Sequence, residues 1–130
     1  MASRDERAPS RNNDSVVLRF NFGEKRILFT GDVEKEAELA MLSEGLDLRS
    51  DMVKVAHHGS KTSSVEQLVE ATRPEIAIIS VGRSSIFGHP NKDVVERWRA
   101  GGAQVMTTGE KGTISVVTDG RELGMSTFLP

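Results

Sequence analysis

From Ser15 to Phe22 the chain alternates. Val16, Leu18, Phe20 and Phe22 fall on one face and Val17, Arg19 and Asn21 on the other, a period of two that predicts a half-buried strand. Phe22-Gly23-Glu24-Lys25 reads as a turn, and Arg26-Ile27-Leu28-Phe29 as the second strand of a hairpin. Thr30-Gly31-Asp32 breaks the alternation. Val33 to Gly45 then takes helical spacing through Val33, Ala37, Ala40, Met41 and Leu42, with acidic first turns and Gly45 as C-cap. Asp51 to Ala56 predicts a short strand ending at His57-His58-Gly59-Ser60. Ser63 or Ser64 is placed to cap a helix that runs to about Thr72 on a stripe of Val65, Leu68 and Val69. Arg73-Pro74 stops that helix.

Glu75 to Val81 is apolar enough for a buried strand, and Gly82 to Pro90 is a polar loop. A helix from about Lys92 to Ala100 puts Val94, Val95 and Trp98 into the core before Gly101-Gly102 end it. Gln104 to Thr107, Thr113 to Val117 and Glu122 to Phe128 read as strands. The order ββαβαβαβββ implies an α/β fold: a mixed sheet with helices packed on it.

Composition narrows the function classes. The 130 residues, 37% apolar and 28% charged, allow one globular domain. With a net charge of −2, binding nucleic acid by bulk charge is disfavoured, although a local basic rim is compatible with it. The absence of Cys removes disulfides, thiolate metal sites and thiol nucleophiles. No apolar run reaches the ~20 residues of a membrane span. Residues 1–13 are charged and lack the apolar stretch of a signal peptide, so they read as a flexible lead.

Metal-capable side chains follow three apolar strands. Asp32 comes after Ile27-Leu28-Phe29, His57-His58 after Met52-Val53-Lys54-Val55, and His89 a loop beyond Ile76 to Val81. In open α/β sheets the carboxyl ends of strands form the crevice where functional residues gather, and all three histidines belong to this set. Each has a plainer alternative. Asp32 would serve equally as a helix N-cap, and one carboxylate can cap and ligate together. On a strand only one of His57 and His58 can face a shared centre, the other packing beneath it or orienting it. Gly59 permits a close backbone approach, and Ser60 offers a hydroxyl or N–H to an anion. His89, between Gly88 and Pro90, is either a surface loop residue or a contact to phosphate. Ser60, Ser63 and Ser64 lack the Gly-x-Ser-x-Gly elbow of a serine hydrolase, and the glycines make no phosphate-binding loop.

Taken in order, Thr30-Gly31-Asp32, Lys54-Val55-Ala56-His57-His58-Gly59-Ser60 with Thr62-Ser63-Ser64, Ser80-Val81-Gly82 and Phe87-Gly88-His89-Pro90 resemble the metallo-β-lactamase superfamily. The likeness is greatest to the C-terminal domain of ComEC-type DNA-internalisation competence proteins, and it runs from about Asn13 to Asp119. The resemblance implies a four-layer αββα sandwich holding a divalent metal site, Zn or Mn, with two ions in the complete domain. It implies that Asp32 is the bridging carboxylate and His58 the last histidine ligand, with His57 in support, though which of the two histidines ligates stays open. His89 would lie near the scissile phosphate, with Ser60 and Lys61 on the substrate side.

The family's His-x-His-x-Asp-His motif is absent. A zinc site takes about three or four protein ligands, and Asp32 and His58, with His89, supply two or three. Residues 14–130 are therefore expected to form the C-terminal half of such a domain, with the metal held only in the complete domain. The implied activity is that of a metal-dependent phosphodiesterase or nuclease. The implied partners are DNA and the membrane channel region of a parent competence protein, this chain being a soluble piece of a membrane-associated bacterial system. A sheet face meant for the absent half would expose apolar residues and favour self-association. The alternative is a metal-free anion- or DNA-binding module built on Lys61, Arg83, His89 and Lys92.

Overall fold

A computed structural model describes residues 15–82 and 89–130. The expected flexible lead, Arg83 and Phe87-Gly88 lie outside the described residues. Strands β1 (Leu18–Phe22) and β2 (Lys25–Phe29) form the predicted hairpin. Its turn needs glycine: Gly23 has φ +60, and a Cβ there would lie 2.7 Å from Gly120 Cα. β3 (Met52–Lys54), β4 (Ile76–Ile79) and β5 (Gln104–Thr107) follow in parallel, giving a mixed five-stranded sheet of order β1-β2-β3-β4-β5. The helices α1 (Lys35–Ser43), α2 (Glu66–Thr72) and α3 (Lys92–Ala100) join successive parallel strands, as such connections require. A short α4 (Thr108–Lys111), which periodicity does not reveal, precedes the antiparallel hairpin of β6 (Ile114–Thr118) and β7 (Leu123–Thr127).

The sheet has a different covering on each face. On one side Leu28, Val53, Val55, Ala77 and Ile79 pack with Val69 of α2 and Val94 and Trp98 of α3. Asn91 starts α3 by accepting from the backbone N–H groups of Asp93 and Val94. On the other side Met52, Ile76 and Ile78 meet Ile114, Val116, Leu123 and Met125 of the β6–β7 hairpin. That hairpin covers β3 and β4 and reaches Ile27 of β2. Leu18, Phe20, Phe22 and Phe29 of β1 and β2 stay exposed on the same face, with Phe20 and Phe29 edge to face at 5.7 Å. Among the described residues no helix is long and apolar enough to cross a membrane.

Three sequence expectations need correction. The alternation in β1 is real, but its apolar face is the bare one, while Val17 turns to the helix-side core. On α1 the fully buried residue is Glu38, whereas Ala40 of the expected stripe is exposed. Neither Asp32 nor Ser63 or Ser64 is the capping residue of a helix. Glu34 holds the N-cap position of α1 and Val65 that of α2, neither with a side-chain cap bond of its own.

Candidate functional site

The site lies where β2, β3 and β4 end, because parallel strands deliver their carboxyl ends to one edge. Backbone bonds draw the segments together. The His57 N–H donates to the Gly31 carbonyl at 3.0 Å, and the Val55 N–H to that of Ile78 at 2.8 Å. The Thr30 hydroxyl donates to the Lys54 carbonyl. Asp32 is thereby held beside the residues that follow β3.

Those residues do not continue the strand. Ala56–Gly59 form a 3-10 turn in which His57 and His58 take left-handed dihedrals, φ 52 and 54. Such a conformation costs a non-glycine residue about 1–3 kcal/mol, and it persists only where surrounding contacts impose it. The rings consequently part for a different reason than strand alternation.

His58 Nδ1 lies 2.6 Å from the Ser80 carbonyl oxygen, a partner that can only accept, so this nitrogen carries the proton. Its Nε2 is then the lone-pair atom, and it stands 4.0 Å from Asp32 Oδ1. Both side chains are about half exposed. Zinc–nitrogen and zinc–oxygen bonds of about 2.0–2.2 Å would let one cation touch both atoms, and a backbone carbonyl behind a ligating imidazole is the usual outer support. The two donors suit a divalent cation as part of a ligand set. Among the described residues no group of three or more His, Cys, Asp or Glu side chains comes together as a cation site.

His57 turns elsewhere. Its Nδ1 lies 3.3 Å from Glu34 Oε2 and 3.4 Å from Thr62 Oγ1, and the Thr62 hydroxyl donates to Glu34 at 2.6 Å. Its ring centre is 5.7 Å from that of His89 and 6.4 Å from that of His58, so the chain's three histidines form one cluster. Burial, then the neighbouring rings of His57 and His58, hold His89 below the ordinary histidine value. The neutral ring is favoured there, and an anion placed beside it would act in the opposite direction. Ser60 is buried, its hydroxyl 3.0 Å from Thr62 Oγ1 and its N–H donating to the His57 carbonyl, while Lys61 is exposed. Glu34 and Thr62 escaped sequence reasoning. The available signal was an acidic residue two places beyond Asp32, which there reads as ordinary helix-dipole charge.

Gly59 explains how the His89 segment is brought in. A Cβ on Gly59, at φ +77, would stand 2.8 Å from Pro90 Cβ, and the Gly59 carbonyl accepts the Asn91 N–H at 2.9 Å. Gly59→Ala should therefore cost about 1–2 kcal/mol from its backbone angle alone and push Pro90 and His89 outward. Chemical denaturation would read the first effect, and loss of the His57–His89 ring contact in NMR spectra the second.

Comparison with known proteins gives a consistent result. A family model described as the metallo-beta-lactamase superfamily matches residues 4–83. The chain is 36% identical over 105 residues to ComE operon protein 3 of Bacillus subtilis (strain 168), covering 81% of this chain and 14% of that protein. It is 35% identical over 104 residues to Competence protein ComA of Neisseria gonorrhoeae, covering 79% and 15%. Against Recombination protein 2 of Haemophilus influenzae it is 36% identical over 105 residues, covering 81% and 13%. The chain thus spans about one seventh of the length of these curated relatives. No solved structure matches it significantly.

Proposed function

The chain belongs to the metallo-β-lactamase superfamily, and on that premise we propose that it is one part of a metal-dependent hydrolase of the phosphodiesterase or nuclease type acting in DNA uptake. The observation that carries this reading is the pairing of His58 Nε2 with Asp32 Oδ1 across 4.0 Å, with His58 Nδ1 tied to the Ser80 carbonyl. Residues 14–130 act as the C-terminal half of the domain, and a segment bearing His-x-His-x-Asp-His supplies the other ligands.

Asp32 and His58 would hold a divalent cation, zinc or manganese, together with the ligands of the other half. Bound cations supply a Lewis acid for the phosphodiester and lower the pKa of water. His89 lies within reach of the same cleft and contacts the phosphate, its proton affinity rising as the anion arrives. Lys61 steers the strand from the exposed rim, and Ser60 shapes the turn from beneath.

The bare face of Leu18, Phe20, Phe22 and Phe29 supports the same reading. Burying a Phe or Leu side chain stabilises by about 1.5–3 kcal/mol, so this surface favours docking of the missing half and, in its absence, self-association. DNA and the membrane channel region of a longer competence-type protein are the other partners. A second reading has one observation in its favour, the shortage of donors among the described residues. In it Lys61, Arg83, His89 and Lys92 bind DNA or another anion without metal.

One experiment separates the two. The chain is combined with a segment carrying the missing motif, then assayed for bound metal and for cleavage of single-stranded DNA. Stoichiometric metal with cleavage that chelator abolishes is the expected result. A folded complex without metal would sink the hydrolase reading, and salt-dependent DNA binding that survives chelator would replace it with the second.

A further inference from the structure

The cleft contains a second carboxylate–imidazole pair that the Asp32–His58 pairing does not use. Glu34 and His57 face each other with side chains only 13% and 24% exposed, so solvent screens them less than it would a surface pair. Glu34 Oε2 and Thr62 Oγ1 each act as an acceptor toward His57 Nδ1. The Glu34 carboxylate can only accept when ionised. The Thr62 hydroxyl has a single proton, committed to Glu34 Oε2 at 2.6 Å, and so turns a lone pair toward the ring. Thr62 is itself fixed: its N–H donates to Ser60 Oγ at 3.2 Å, and its carbonyl accepts the Lys35 N–H at 2.9 Å.

We propose that Glu34 is the positioning residue for His57, setting the tautomer of its ring so that Nδ1 carries the proton. The ring so held lies beside those of His58 and His89. His57 is not a prop for His58, whose Nδ1 is already satisfied by the Ser80 carbonyl. It has a support of its own, built from the first residues of α1 and the loop before α2. The chain thus presents two imidazoles in the same protonation pattern, one held by a backbone carbonyl and one by a carboxylate. This deepens the reading of the site given above, but it concerns only groups within the chain and is testable without metal.

The test is long-range 1H–15N NMR of the imidazole rings in the metal-free chain, at a pH where His57 is neutral. His57 should show a protonated Nδ1 and an unprotonated Nε2. Glu34→Ala should lose that preference, giving an averaged or inverted pair of nitrogen signals with the backbone spectrum otherwise kept. Thr62→Val should retain it, because the carboxylate remains. Glu34→Gln, whose amide oxygen still accepts, should restore the wild-type tautomer if Glu34→Ala loses it. A wild-type His57 protonated on Nε2 would overturn the proposal whether or not any variant folds. So would an unchanged tautomer in folded Glu34→Ala. Failure of metal binding in the reconstituted complex would leave these spectra untouched, so the two failures are separable.

Discussion

Glu38→Ala is expected to destabilise the protein by about 3–5 kcal/mol, the range for stripping one partner from a buried charged network. Glu38 is fully buried on α1, and its two carboxylate oxygens accept the backbone N–H groups of Ser64 and Val65 at 2.7 and 2.9 Å. Those donors belong to the two residues that lead into α2, the second of them its N-cap. Glu38 therefore anchors the entry to α2 from another helix. Ser64 extends the network: its hydroxyl accepts Trp98 Nε1–H at 3.0 Å and its carbonyl accepts Arg97 at 2.6 Å. Against a typical total of about 5–15 kcal/mol, losing this anchor consumes a large share of the stability. Urea unfolding measures it, and Glu38→Gln, which keeps the shape and one acceptor, should cost a milder ~1–3 kcal/mol. A Glu38→Ala variant as stable as the wild type would refute the account.

The same residue gives a pH signature. Burial raises the Glu38 pKa above its ordinary 4.5, against the opposing pull of the Val65 and Ser64 N–H bonds and of Arg97. A raised value in the folded state means that folding favours the protonated carboxyl. Its contribution is therefore fully present below pH 4.5 and declines as pH rises through the raised value. Glu38→Gln should lack that decline.

The second large effect concerns the cation. In the reconstituted complex, Asp32→Ala and His58→Ala should each reduce metal retention beyond the ~10–100-fold that loss of an outer partner costs. His57→Ala should cost less than either, because His58 Nδ1 keeps its Ser80 partner. Metal content after gel filtration, with denaturation to check folding, reads the difference. Full metal retention in His58→Ala together with complete loss in His57→Ala would reverse the assignment of the two histidines.

Much of the fold was legible because the chain repeats its signals. The hairpin through Gly23, the buried Ile76–Ile79 strand and the helix from Lys92 to Ala100 are each written in spacing and turn chemistry. Periodicity says which residues share a face, however, and not what lies against that face. That is why Val16, Leu18, Phe20 and Phe22 were grouped correctly and yet are exposed. Glu38 misled for a related reason: an acidic residue inside an amphipathic helix reads as solvent-facing unless its distant N–H partners are known. At the site, Asp32, His57, His58 and His89 were chosen from strand ends and do converge. The splaying of His57 from His58 was not legible, because left-handed geometry at two adjacent non-glycine residues leaves no mark in the sequence. Glu34 and Thr62 were missed with it, since their importance depends on where that splay sends His57.

The two left-handed histidines carry a consequence for how the sequence drifts over time. At these backbone angles glycine is tolerated without penalty and asparagine with less than most residues. Random substitution toward either would relieve stored strain, so neutral drift runs away from histidine at both places. A lineage that ceased to need the imidazoles would be free to discard them and gain stability in doing so. Among homologues His57 and His58 can thus serve as a clock for lost use, disappearing earlier than the buried core around Trp98, whose replacement brings only loss.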